Sequence, residues 1–206
     1  MPARVLVIGI GPGSREYLLP AAAAAAARAT VLVGSRRALE LFPESVAEKR
    51  EISLPLEDTI AYIRARARTQ RVAVLLSGDP CFHSLLPRLR QEFAPEEMEV
   101  HPGLSPWQLA FARLKEDTSQ ARVISLHGHD WDELEAVLDL PRVAVLTDRH
   151  HSPTAIARYL LDRGVRKVMY VCENLGYPEE RITRIDAGQG IAENFSALNL
   201  VVLLDA

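Results

Sequence analysis

The sequence predicts an α/β protein made of two domains, each an α/β layer structure with mostly parallel sheets. Three observations lead to this fold class. Short apolar runs alternate with segments of helical periodicity along the chain, several apolar runs end in glycine-bearing loops, and one polar, aperiodic segment interrupts the alternation near Lys115. Strands that alternate with helices are typical of parallel sheets with helical crossovers.

The composition restricts the class of protein. Hydrophobic residues make up 48% and charged residues 25% of the 206 positions, which predicts a folded core. A formal net charge of −3 argues against a general nucleic-acid binder. The two cysteines, Cys81 and Cys172, lack metal-binding spacing and fit a reducing compartment. No apolar run approaches the ~18 residues of a membrane helix, so we expect a cytoplasmic protein that does not bind a membrane.

The first half of the chain predicts a strand at each apolar run and a helix at each amphipathic or alanine-rich segment. The predicted strands are VLVIGI, TVLVG, RVAVLL and the EVH that precedes a proline–glycine loop. The predicted helices are PAAAAAAARA, RRALELF, EDTIAYIRARAR, LLPRLRQEF and WQLAFARL. The alanine tract is read as a thin helix packed closely on a sheet, because alanine is the best helix former.

The alternation restarts after the polar segment. The later segments are RVISLHGHD, WDELEAVLDL, RVAVLTD, TAIARYLLDRG, KVMYVCENLG, ERITRIDA and ALNLVVLLDA, and the last two could pair antiparallel. We therefore expect an N-terminal α/β domain over residues 1–114, a linker over 115–118 and a C-terminal α/β domain over 119–206.

Three glycine-bearing loops follow strands of the first half: GIGPGS, SGDP and HPGLSP. Ligands of open parallel sheets bind at the carboxyl ends of the strands, so these loops mark a candidate site. The first loop reads G-x-G-P-G and does not open directly into a helix, unlike a dinucleotide fingerprint, and no P-loop lysine follows. An adenosine-bearing ligand without a phosphate fits better. Asp79 of the second loop is either a turn residue or a carboxylate aimed at ribose hydroxyls or an amino group.

The remaining polar residues give weaker signals. His127 and His129 could form a ligand pair, but no cysteine or carboxylate cluster completes a metal site, and no metal is expected. Histidines and arginines could instead bind an anionic substrate or lie on a solvated face. No serine–histidine–aspartate arrangement or paired acidic motif stands out, so hydrolytic machinery is not indicated.

Together these segments resemble the tetrapyrrole methylase family, the class III methyltransferases. GIGPG, SGDPCF and PGLSP resemble the three loops of that family. VGSRRALELFP, HPGLSPWQLAFARL, VISLHGHD, VAVLTDRHHSPTAIARYLLDRG and CENLGYPEERIT are similar to its CbiE branch, the carbon-5 methyltransferases of cobalamin biosynthesis. The resemblance covers nearly the whole chain.

The resemblance implies S-adenosylmethionine as cofactor, in a cleft between the two domains. It places cofactor contacts at Pro12, Ser77, Gly78, Asp79, Phe82, Ser105, Pro106, Thr147 and Leu175. Arg37, His129 and Arg149 are candidates for binding the substrate carboxylates, and no acid or base is assigned. Pro106 stands where a second serine is usual, which puts one backbone contact in doubt.

The resemblance also implies a reaction and partners. The expected reaction is methyl transfer to carbon 5 of an anionic (cobalt-)precorrin, by a homodimer. Because the chain ends just after its last predicted strand, we expect a separate carbon-15 methyltransferase and decarboxylase of the CbiT type to supply the other half of the chemistry. Two alternatives stay open: a methylase of the same fold acting on ribosomal RNA or a translation factor, and a non-catalytic module that binds a nucleotide or tetrapyrrole.

Overall fold

The computed structural model describes residues 4–186 and 194–206, and the chain forms two compact units. One unit ends at Ser105 and the other begins at Pro106, nine residues before the predicted domain end at residue 114. The helix Pro106–Leu114 contacts the last strand, Asn199–Asp205, of the second unit. Residues 115–118 are also tied into that unit, since Glu116 pairs with Arg142 at 3.3 Å. The helix therefore belongs to the second unit.

The first unit contains five strands and four helices in its described part. The strands are β1 (Val5–Gly9), β2 (Val31–Gly34), β3 (Glu48–Glu51), β4 (Val72–Leu76) and β5 (Met98–His101). The helices are α1 (Pro20–Ala27), α2 (Arg36–Glu40), α3 (Leu56–Ala67) and α4 (Leu86–Leu89), with 3-10 turns at Arg15–Tyr17 and Pro95–Glu97.

The sheet of the first unit has the strand order β3-β2-β4-β1-β5, and every pairing is parallel. Along β1, Leu6 and Ile8 pack with α1, whereas Val5 and Val7 face a second apolar cluster that includes Ile60 of α3. Burial on both faces explains why β1, β2 and β4 are continuous apolar runs in the sequence. The expectation of mostly parallel pairing is thus confirmed for this sheet.

The alanine tract forms the predicted thin helix. Ala22, Ala25 and Ala26 of α1 are buried in the cluster that also holds Leu6 and Ile8. A methyl side chain lets a helix approach the sheet closely, which larger residues would prevent.

Strand β3 was not predicted from the sequence, because it contains only the charged residues Glu-Lys-Arg-Glu, all exposed. It lies at the edge of the sheet, paired with β2. Its side chains are held by neighbours: Glu48 accepts from the Tyr62 hydroxyl and from Arg66, each at 2.7 Å. Charged residues on an edge strand also discourage pairing with other chains.

The second unit contains five strands and three helices in its described part. The strands are β6 (Arg122–Ser125), β7 (Arg142–Leu146), β8 (Lys167–Glu173), β9 (Arg181–Ile185) and β10 (Asn199–Asp205). The helices are α5 (Pro106–Leu114), α6 (Asp132–Glu135) and α7 (Pro153–Asp162). No helix within the described ranges combines the length and apolar character that a bilayer span requires.

The second sheet has the order β6-β7-β10-β8-β9, and only the β6–β7 pairing is parallel. The expectation of mostly parallel pairing therefore fails for this sheet, although the α/β class holds. The crossover through α7 returns β8 in the same direction as β7, and the last strand enters the gap between them, antiparallel to both. The C-terminal strands do pair antiparallel, β9 with β8 and β10 with β7 and β8, rather than with each other.

Candidate functional site

The three glycine loops of the first unit meet at one edge of its sheet. Because β1 pairs in parallel with both β4 and β5, the carboxyl ends of these strands lie side by side. Gly11 and Gly78 then form a short bridge: the Gly78 amide donates to the Gly11 carbonyl at 2.7 Å, and the Gly11 amide donates to the Gly78 carbonyl at 3.4 Å. The sequence prediction that these loops converge is confirmed within this unit.

Two glycines are required because the loops pack backbone against backbone. A Cβ on Gly9 would lie 2.6 Å from the Gly103 nitrogen and 2.7 Å from the Gly78 oxygen. A Cβ on Gly103 would collide with that same oxygen. At Gly9 and Gly103 the space that a side chain would take is filled by protein backbone. These two residues hold the site together rather than open it.

Three amides of the first two loops are not free to cradle a phosphate. The amides of Ile10, Gly11 and Gly78 all donate to backbone carbonyls, at 2.9, 3.4 and 2.7 Å. Pro12 has no N–H and is buried. Phosphate sites depend on several backbone N–H groups that point at the anion. The arrangement therefore fits the sequence inference of an adenosine-bearing ligand that lacks a phosphate at this point.

Asp79 organises the second loop. Its Oδ1 accepts the Cys81 amide at 2.7 Å, and its carbonyl accepts the Phe82 amide at 3.1 Å. Burial and then the nearby Asp79 carboxylate raise the pKa of the Cys81 thiol. Asp79 therefore does act as a turn residue. Its carboxylate has about four lone-pair positions, so it can still accept a hydrogen bond from a ligand. Ser77 beside it is exposed.

Pro106 opens helix α5 at its first residue. A proline fits there because the first helical amide has no partner within the helix. Pro106 is therefore compatible with the start of this helix. Ser105, directly before it, is only 4% exposed.

The second unit carries the other two predicted cofactor positions on the loops after β7 and β8. The Thr147 hydroxyl lies 2.8 Å from Asn199 Oδ1. Leu175 is buried in a loop fixed by Glu180, which accepts the Gly176 amide at 2.7 Å and pairs with Arg113 at 2.6 Å. Arg113 is the main reason that the pKa of Glu180 is lowered.

Asp148 joins two loops of the second unit and was not singled out in the sequence. Its Oδ1 accepts the amides of His150 and His151 at 2.8 and 2.7 Å and lies 3.0 Å from the His151 ring, while Oδ2 accepts the Gly128 amide at 3.3 Å. These contacts, the His151 amide first, lower the pKa of Asp148 to about 2. The sequence signal that could have identified Asp148 was an aspartate four residues before Ser152, the residue that caps helix α7.

This junction brings together two of the three predicted substrate residues. Arg149 follows Asp148, and His129 follows the Gly128 that Asp148 binds; both side chains are exposed. Arg37 is exposed in α2, which follows β2 in the first unit. Within residues 4–186 and 194–206, no group of three or more histidine, cysteine, aspartate or glutamate side chains is placed to hold a metal ion.

The fold and its loops define a class of α/β protein with a candidate ligand site at the carboxyl edge of a parallel sheet. The family model of Tetrapyrrole (Corrin/Porphyrin) Methylases matches residues 4–189, and the chain belongs to this family. It is therefore an S-adenosylmethionine-dependent methyltransferase, as the resemblance implied.

Two relatives bear on the reaction. The chain is 33% identical over 200 residues to the cobalt-precorrin-7 C(5)-methyltransferase of Salmonella typhimurium, covering 97% of this chain and 98% of the relative. It is 34% identical over 180 residues to the decarboxylating precorrin-6Y C(5,15)-methyltransferase of Sinorhizobium sp, of which it spans 43%.

Two solved structures are similar across the chain. The precorrin-6Y methylase CbiE of Archaeoglobus fulgidus has a TM-score of 0.74 and 27% identity, covering 98% of this chain and 97% of that one. The uroporphyrin-III C-methyltransferase of Thermus thermophilus, complexed with S-adenosylhomocysteine, has a TM-score of 0.79 and 22% identity, covering 98% and 97%. The second likeness establishes the fold alone.

Proposed function

We propose that this chain transfers a methyl group from S-adenosylmethionine to carbon 5 of a cobalt-precorrin in cobalamin biosynthesis. The similarity to the cobalt-precorrin-7 C(5)-methyltransferase of Salmonella typhimurium, over nearly the full length of both chains, carries the proposal. The converged glycine loops support it, because they form a site at the sheet edge without a phosphate cradle.

The cofactor supplies an electrophilic methyl group on a sulfonium, and the protein supplies alignment. We propose that the loops around Pro12, Ser77–Asp79 and Ser105, together with Phe82 and Pro106, bind the cofactor in the first unit. We also propose Thr147 and Leu175 as cofactor contacts. In-line transfer needs a narrow range of distance and angle, so rigid loops contribute directly to the rate. The backbone bridge between Gly11 and Gly78 provides such rigidity.

The substrate carries several carboxylates, which basic side chains recognise. We propose Arg37, His129 and Arg149 for this role. All three are exposed, and the latter two lie on loops that Asp148 holds together. Exposed cations on ordered loops can exchange water for a carboxylate without burying an unpaired charge.

The test is turnover of cobalt-precorrin-7 with S-adenosylmethionine, followed by mass spectrometry. We expect these 206 residues alone to add one methyl, a gain of roughly 14 daltons, and to release no carbon dioxide. One bound cofactor aligns one methyl with one carbon, and carbons 5 and 15 lie on distant edges of the ring. A separate CbiT-type protein would perform the carbon-15 step. A second methyl or a loss of roughly 44 daltons would refute this division of labour.

The alternatives predict different outcomes. A methylase of ribosomal RNA or a translation factor would bind S-adenosylmethionine but leave the corrinoid unchanged. A non-catalytic module would bind ligand without turnover. We further propose that the protein is a cytoplasmic homodimer. Light scattering on the purified chain measures the mass of the assembly and so tests whether it is a dimer.

A further inference from the structure

The Thr147 hydroxyl has its single proton committed inside the second unit. Its oxygen lies 2.8 Å from Asn199 Oδ1 and 2.9 Å from the Asn199 backbone oxygen. Both neighbours are carbonyl oxygens, which accept and never donate. The hydroxyl must therefore be the donor toward Asn199.

The orientation of the Asn199 amide follows from its other neighbour. Asn199 Nδ2 lies 2.6 Å from the backbone oxygen of Ser196. A rotated amide would place two acceptor oxygens against each other there, so the NH₂ group faces Ser196 and the oxygen faces Thr147.

The Asn199 amide is in turn anchored to the end of β8. The Ser196 amide donates to Glu173 Oε1 at 2.7 Å, and the Ser196 hydroxyl donates to Asn174 Oδ1 at 3.0 Å. Glu173 is only 3% exposed and pairs with Arg181 at 2.6 Å. Ser196, which accepts from the Asn199 side chain, is thus itself bound by a buried carboxylate, and this disfavours reorientation of the Asn199 amide.

We infer that Asn199 is a positioning residue that makes the Thr147 hydroxyl an acceptor-only contact for an N–H or O–H donor of the bound cofactor. The inference rests on the proposed function. The lone pairs that remain on Thr147 suit the ammonium, the adenine amine or the ribose hydroxyls of S-adenosylmethionine. They repel the carboxylates of a corrinoid, which bring only acceptors at neutral pH. Thr147 therefore distinguishes cofactor from substrate by hydrogen-bond polarity.

The experiment measures S-adenosylhomocysteine affinity by calorimetry for four variants of the full chain. Thr147→Val keeps the side-chain volume and removes the acceptor, so the dissociation constant should rise about fivefold to tenfold. Thr147→Ser should restore most of the affinity. Asn199→Ala should also weaken binding, but the double variant should bind no more weakly than Thr147→Val, because Asn199 acts through Thr147.

The controls separate this role from general stability. Thr183→Val, on β9 of the same sheet, is the matched control and should bind normally. With substrate, Thr147→Val should raise the KM for S-adenosylmethionine and leave the KM for the corrinoid unchanged. Unchanged affinity in Thr147→Val, additive losses in the double variant, or a raised corrinoid KM would overturn the inference while leaving the proposed function intact. Failure of the wild-type chain to bind S-adenosylhomocysteine would overturn both.

Discussion

The substitution Asp148→Asn tests whether one carboxylate holds the two loops that carry His129 and Arg149. Asparagine keeps the size of the side chain but removes the charge, and its NH₂ group cannot accept the Gly128 amide if its oxygen stays on His150 and His151. The variant therefore leaves at least one amide facing a donor, and the second unit should be destabilised.

The magnitude follows from the pKa of Asp148, which is lowered from 3.8 to about 2 in the folded protein. Each pKa unit corresponds to about 1.4 kcal/mol, so ionised Asp148 stabilises the fold by up to about 2.4 kcal/mol. The side chain is 12% exposed, so solvent screening is limited but present. We expect Asp148→Asn to lower the free energy of unfolding by about 1–2.5 kcal/mol at pH 7.

The pH dependence has a definite sign. Because the folded pKa is the lower one, the stabilisation is fully present above the unfolded pKa near 3.8 and is lost as pH falls toward about 2. The difference between the wild type and Asp148→Asn should therefore shrink as pH falls below about 4.

Urea unfolding followed by tryptophan fluorescence measures this difference. The two tryptophans, Trp107 and Trp131, both lie in the second unit, and the Trp131 ring is 4.7 Å from that of His151. Asp139→Asn, an exposed position in the same unit, is the control and should be neutral. A loss below about 0.5 kcal/mol, or one that is equal at pH 7 and pH 3, would refute the role assigned to Asp148.

Three further predictions concern the first unit and the substrate. Gly103→Ala should destabilise the loops by forcing a Cβ into the Gly78 carbonyl, and the measurement is faster hydrogen exchange of the Gly78 amide. Gly164→Ala is the control, because a Cβ there meets no atom within 4 Å and should cost only backbone strain. Equal losses of stability in the two variants would contradict the collision. Asp79→Ala should weaken S-adenosylmethionine binding roughly 10- to 150-fold, or ~1.5–3 kcal/mol, by calorimetry, whereas an unchanged dissociation constant would make Asp79 a turn residue only. Arg37→Ala should raise the KM for the corrinoid and leave cofactor binding unchanged. Arg36→Ala is the control, because Arg36 Nε already lies 3.5 Å from Glu51 Oε2. Normal substrate affinity in Arg37→Ala would show that Arg37 does not bind the substrate.

Apolar pattern predicted the parts of the fold that are buried on both faces. The runs at β1, β4 and β10 were recognisable because their residues have no polar alternation. Strand β3 has no apolar residue and exists because β2 offers an open edge, so local sequence carries no signal for it. The position of β10 between β7 and β8 likewise depends on contacts between residues far apart in the chain, which the apolar pattern of a single strand does not predict.

The site was predicted unevenly for a similar reason. Glycines at the strand ends indicated the converging loops, because close backbone packing excludes any side chain at Gly9 and Gly103. Asp148 and Asn199 gave little signal, since their roles depend on partners twenty and fifty-two residues away, Gly128 and Thr147. Polar networks of this kind become visible only when the strands are in register.

Under the proposed function, the charges of the candidate site separate cofactor binding from substrate binding. In the first unit the amides of Gly11 and Gly78 are paired with carbonyls and are not free to bind an anion, while Asp79 adds a negative charge. Such a surface favours a sulfonium and an ammonium and disfavours a polyanion. The affinity for a carboxylate-rich macrocycle must then come from basic side chains outside these loops. This requirement is why Arg37 and Arg149, rather than the glycine loops, should determine the corrinoid KM.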